Sequence, residues 1–132
     1  MNRNSLRAVL AAGGVLLLAG SVRAHHGYPS MLDGLEPVTV TGVIAEVRLE
    51  NPHLVFIVDV VDEAGRVTRW SFEGNAPTAA IRGGFRRDSV RAGDTVTIKG
   101  AHVREKWLNM GVAREIVLED GRSFFVGPRS VG

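Results

Sequence analysis

Four histidines carry most of the site chemistry that this 132-residue sequence can offer. His25 and His26 are adjacent, His53 follows the Asn51-Pro52 break, and His102 ends an alternating stretch that begins at Thr95. Paired imidazoles suit copper, zinc or nickel, and a free N-terminal amine beside an imidazole chelates copper especially well. His25, His26 and His53 are therefore the candidate ligands of a transition metal, copper or zinc. The competing reading is structural. A histidine after a proline can simply donate to a loop carbonyl, and His102 shares parity with Val96 and Ile98, as a rim residue would.

Whether His25 opens the working chain depends on what precedes it. Arg3 and Arg7 form a basic start, Ala8 to Gly20 is an apolar run, and Val22-Arg23-Ala24 supplies the small residues read at a cleavage site. The run is short and broken by Gly13 and Gly14, which argues for a signal peptide rather than a membrane span. Residues 1–24 are thus expected to be removed and the protein to be periplasmic or secreted, with no membrane span after cleavage. With no cysteine in the chain, lipoprotein acylation, disulfides and thiolate sites are all excluded. The leader holds Arg3, Arg7 and Arg23 and no acid, so sixteen basic residues become thirteen against fourteen acids, a net of −1. The basic balance of the whole sequence then belongs to the leader and gives no reason to expect nucleic acid as a partner.

Other constellations are weaker. Trp70, Phe72, Phe85 and Trp107 could make a stacking platform for single strands or sugars. Trp70 and Phe72 alternate as a core face does, which leaves Trp107, in a polar loop, as the candidate surface contact. Arg82, Arg86, Arg87 and Arg91 form a basic cluster diluted by Asp88 and Asp94. No GxSxG elbow, phosphate-binding glycine loop or GxGxxG fingerprint is present, and the carboxylates are scattered over turns and strand edges. A non-catalytic binding protein is therefore expected. The alternative to a metal binder is a periplasmic module that contacts a protein or glycan through the barrel face and Trp107.

These residues need elements to position them. Residues 25–36 read as an N-terminal arm. Val38 to Leu49 alternates as a long strand whose apolar parity switches after Gly42, as at a bulge or bend. Leu54 to Val58 is five apolar residues in a row and reads as a strand buried on both faces. Asp62 to Arg66 makes a turn into a third strand, Val67–Glu73. Asn75 and Pro77 then start a helix of about two turns, with Asn75 as its cap. Thr95–His102 is the fourth strand. The fifth, Met110–Leu118, has Met110, Val112, Ile116 and Leu118 on one face, and a short strand runs from Ser123 to Val126. Three strands, a short helix and further strands match an all-β fold, a small five- to six-stranded OB-like Greek-key barrel over residues 37–127, followed by a tail at 128–132.

Taken together, several motifs resemble a group of small exported bacterial proteins classed as a domain of unknown function. They are His25-His26, Pro37-Val38-Thr39-Val40-Thr41-Gly42, Asn51-Pro52-His53, Trp70, Glu73-Gly74-Asn75-Ala76-Pro77, and the run from Val90 to Gly100 containing Gly93-Asp94. Gly27 stands where the group often has serine, Phe85 near a frequent tryptophan and Val90 at a frequent leucine, while His102 falls outside the pattern. The resemblance implies export and a small β-barrel; it implies no activity.

Overall fold

The long first strand, β1 (Pro37–Leu49), places every other element. The protein is described here from a computed structural model, over residues 35–128. After β1 come β2 (Leu54–Val61), β3 (Val67–Glu73), α1 (Pro77–Arg82), β4 (Thr95–His102), β5 (Met110–Leu118) and β6 (Ser123–Phe125). The first half of β1 pairs antiparallel with β4 and the second half with β2. β3 meets β5 in parallel at Ser71–Met110, Phe72–Gly111 and Glu73–Val112, which closes the sheet. Five strands in the spatial order β1, β2, β3, β5, β4 thus form an OB-like Greek-key barrel, with β6 added to β5. Among the described residues no helix is long and apolar enough to cross a membrane.

A strand can serve two parts of a curled sheet only if it bends, and β1 bends at Ala45. Its pairing passes from Ile44–Val58 to Glu46–Ile57, leaving Ala45 as the extra residue of a bulge. The inward side chains are Val40 and Ile44 before the bulge and Val47 and Leu49 after it. The parity switch therefore lies at Ala45, not at Gly42. Gly42 answers a different need: a Cβ there would stand 2.5 Å from the Asp59 carbonyl oxygen, so only glycine lets β2 come this close.

A second bulge breaks the expected single face of β5. The register moves from Lys99–Glu115 to Gly100–Ala113, so Arg114 is the extra residue. Ala113, Ile116 and Leu118 are buried, whereas Met110 is exposed and Val112 half-buried on the opposite face, although they share parity with Ile116 and Leu118. β2 is also less enclosed than its apolar run suggests. Leu54, Phe56 and Val58 are fully buried, but Val55 and Ile57 lie on the outer face and are only half-covered.

The core fills one end of the barrel with aromatic rings. Phe85, beyond α1, meets Phe56 edge-on at 5.9 Å and Phe124 at 5.6 Å between ring centroids. Full burial of each such ring is worth roughly 2–3 kcal/mol, so the plug is a principal reason the segment after α1 folds back onto the strands. α1 itself is only six residues long, with Pro77 in its first turn. Its N-cap is Ala76, without a side-chain cap hydrogen bond, so Asn75 does not play the capping role expected of it. Asn75 acts through its backbone: its carbonyl accepts from Leu54 N–H at 3.0 Å and its N–H donates to Val126 O at 2.6 Å.

Candidate functional site

His53 is held where the β1–β2 connection, the end of β3 and the start of α1 converge. The connection turns through Asn51-Pro52, whose peptide bond is cis. Leu54 points into the core, so by strand alternation His53 points to the outer surface. In β3 Phe72 is buried, which sends Glu73 outward on the same side. The β2–β3 register sets Val55 opposite Glu73, and the residue two earlier than Val55 lies diagonally across from it. The outcome is a contact of 3.3 Å between His53 Nδ1 and Glu73 Oε2, with the two side chains 36% and 45% exposed.

Gly74 makes this convergence possible. A Cβ at that position would lie 2.6 Å from the Val126 carbonyl oxygen. Gly74 N–H also donates to Leu54 O at 2.7 Å, so the chain after Glu73 is clamped between β2 and the residue after β6. A cleft of about 310 Å³ opens beside the histidine, lined by Pro52, His53, Asn75, Ala76 and Ala79. Its walls are mainly apolar, with His53 and Asn75 as the polar groups.

The contact with Glu73 also orders the imidazole. A carboxylate oxygen only accepts, so a proton on Nδ1 suits this contact. Metal-binding histidines are oriented in this way by an outer carboxylate. Among the described residues, no three histidine, aspartate or glutamate side chains form a group able to hold a metal. His25 and His26 lie outside the described residues, so His53 is the one member of the proposed ligand set that can be placed.

His102 serves the fold. Its Nε2 donates to the Leu108 carbonyl at 2.8 Å, and its ring lies 5.0 Å from Trp70. Trp70 in turn stacks on Phe72 at 5.5 Å, and Phe72 and Phe85 are fully buried. The aromatic platform is therefore core, apart from Trp107, which is 79% exposed on the β4–β5 loop. That loop is pinned by Val103 N–H to Met110 O and by Ser71 N–H to Asn109 O, so Trp107 projects from a fixed base.

The outer face of β1, β2 and β3 is a ladder of ion pairs. Arg69 grips Asp59 with two hydrogen bonds of 2.7 and 2.8 Å, and Arg48 grips Glu46 at 2.7 and 2.9 Å. The Arg69 hydrogen bonds hold the Asp59 carboxyl below its ordinary range, and those from Arg48 do the same for Glu46. These carboxylates already have partners, which makes them poor candidates for acid–base work. The site feature that reading the sequence missed is Glu73. The length of the β2–β3 turn fixes the hairpin register, and counting back from it sets Glu73 opposite Val55 and so diagonally across from His53.

Comparison with known proteins agrees with this architecture. The model of a family of unknown function, DUF6152, matches residues 12–111. No curated protein matches the chain. Among solved structures, the fold is similar to the S. cerevisiae mitochondrial single-stranded DNA binding protein Rim1, with a TM-score of 0.50 and 14% identity over 64% of this chain and 94% of that one. At that identity the likeness concerns the fold alone.

Proposed function

The chain belongs to the DUF6152 family of unknown function, and we propose that it is an exported, non-catalytic protein that binds a transition metal, copper or zinc, through His53 together with His25 and His26. The carrying observation is the 3.3 Å contact between His53 Nδ1 and Glu73, which orients the ring as a ligand imidazole is oriented. Neutral imidazoles and an N-terminal amine form a nitrogen-rich donor set of the kind copper and zinc prefer.

Barrel closure supports the inclusion of the two early histidines. Pro37 pairs with Ala101, Ala101 with Val112, and Val112 with Glu73. Three strand spacings of about 4.8 Å place the start of β1 within roughly 15 Å of Glu73, although the two are far apart in sequence. Ten residues lie between His26 and Pro37, and the eleven steps across them, at about 3.3 Å each, can span roughly 36 Å. The arm is long enough to bring both histidines to His53 with slack to spare.

The test is calorimetric titration of the protein, expressed with its leader in a bacterial host and purified as that host processes it, with Cu(II) and Zn(II). Stoichiometric binding is expected, lost in His53→Ala and weakened about 10- to 100-fold in Glu73→Gln, as outer-carboxylate changes do elsewhere. Binding unchanged by His25→Ala combined with His53→Ala would show that the metal sits elsewhere.

A further inference from the structure

Arg82, Arg86, Arg87 and Arg91 fall within ten residues at the end of the barrel that Phe85 plugs. Arg86 is anchored there: its Nη1 donates to the Ile81 carbonyl at 2.9 Å and the Phe85 carbonyl at 3.1 Å. Asp88 lies 3.8 Å from Arg91. Among the described residues no carboxylate comes within ion-pair distance of Arg82, Arg86 or Arg87, and all three are exposed.

Apolar side chains share this end. Ile81, on α1, is 41% exposed and Phe125, on β6, is 57% exposed. A Cβ on Gly83 would lie 3.5 Å from the Phe125 carbonyl oxygen, so the end of α1 and β6 are neighbours. Phe124 turns inward onto Phe85, which sends Phe125 outward by alternation. One end of a chain with a net charge of −1 without its leader thus combines three arginines lacking acidic partners with two exposed apolar residues.

We propose that this surface docks the protein on an anionic phospholipid bilayer. Guanidinium groups pair with phosphate in a bidentate manner. An apolar residue beside them can settle among headgroups, and basic residues near an anionic surface each strengthen binding roughly fivefold. The sign of the charge and the apolar tips together favour a lipid surface over an acidic protein. The docking does not depend on the histidine site, whose cleft reaches α1 at Ala79 but includes none of these arginines or exposed apolar residues.

The experiment is flotation of the processed protein with vesicles of phosphatidylglycerol and phosphatidylethanolamine, and separately with phosphatidylcholine vesicles, at low and high salt. Binding is expected to the anionic vesicles alone and to fall with salt. Arg82→Gln combined with Arg87→Gln should weaken it by roughly tenfold or more. Phe125→Ser should weaken it with the salt dependence retained. Thermal melts of the variants verify that these exposed changes leave the fold intact. Equal binding to both vesicle types, no binding to either, or anionic binding unmoved by the double arginine change would overturn the proposal.

Discussion

Replacing Gly74 with alanine sets two opposing effects against each other, and the structure decides which wins. Where the backbone permits it, glycine to alanine stabilises by about 0.4–1 kcal/mol, because the unfolded chain loses freedom. Gly74 is not among the glycines with positive φ, so this gain is available in principle. The new Cβ would, however, stand 2.6 Å from the Val126 carbonyl oxygen, a rigid backbone atom. That oxygen also accepts from Asn75 N–H at 2.6 Å, and Gly74 N–H donates to Leu54 O at 2.7 Å, so neither side can retreat without stretching a hydrogen bond. Overpacking of this kind costs roughly 1–3 kcal/mol. The net expectation is a loss of about 1–2 kcal/mol, which for a domain of this size lowers Tm by roughly 4–8 °C per kcal/mol. Thermal unfolding followed by circular dichroism of wild type and Gly74→Ala measures it. An unchanged or raised Tm would mean that the strand clamp beside Glu73 has room to spare.

Two further perturbations test the outer surface. Arg69 hydrogen bonds hold the Asp59 carboxyl below its ordinary value of 3.8, and the backbone and side chain of Arg66 and Arg122 do the same for Asp62 and Asp120. A carboxyl depressed in the folded state adds stability that is fully present above its unfolded pKa and is lost as pH falls through the folded one. Urea midpoints should therefore be flat from neutrality down to the aspartate range and fall below it, with a shallower fall in Asp59→Asn; equal slopes would remove Arg69 as the cause. Trp107→Ala should leave the unfolding free energy read from urea titration within about 0.5 kcal/mol of wild type, since the ring is largely exposed. A clear loss of stability would show that the β4–β5 loop depends on that side chain.

The order of the elements was legible in the sequence because alternation and turn chemistry both carry it. Val67 to Glu73 shows its faces through Phe72 against Arg69, and Gly65 marks the hairpin with its positive φ of 78°. The bulges were not legible. Ala45 and Arg114 are ordinary residues whose extra place in the ladder is decided by which strands must meet, so Gly42 looks like the first bend and nothing marks the second. Val55 and Ile57 look as apolar as Phe56, and only the sheet's closure shows that their side faces outward. For the site, the Asn51-Pro52 break rightly put His53 at a strand end. Its partner Glu73 emerges only when the β2–β3 register is counted across the hairpin.

The proposed metal site is His53, beside Glu73. Paramagnetic broadening by substoichiometric Cu(II) in a proton–nitrogen correlation spectrum of the protein, prepared as for calorimetry, is the decisive measurement. The amides of His53, Leu54, Glu73, Gly74 and Asn75 should vanish first, and His53→Ala should restore those of its neighbours. Broadening centred on His102 and Trp70, or none that is localised, would contradict it.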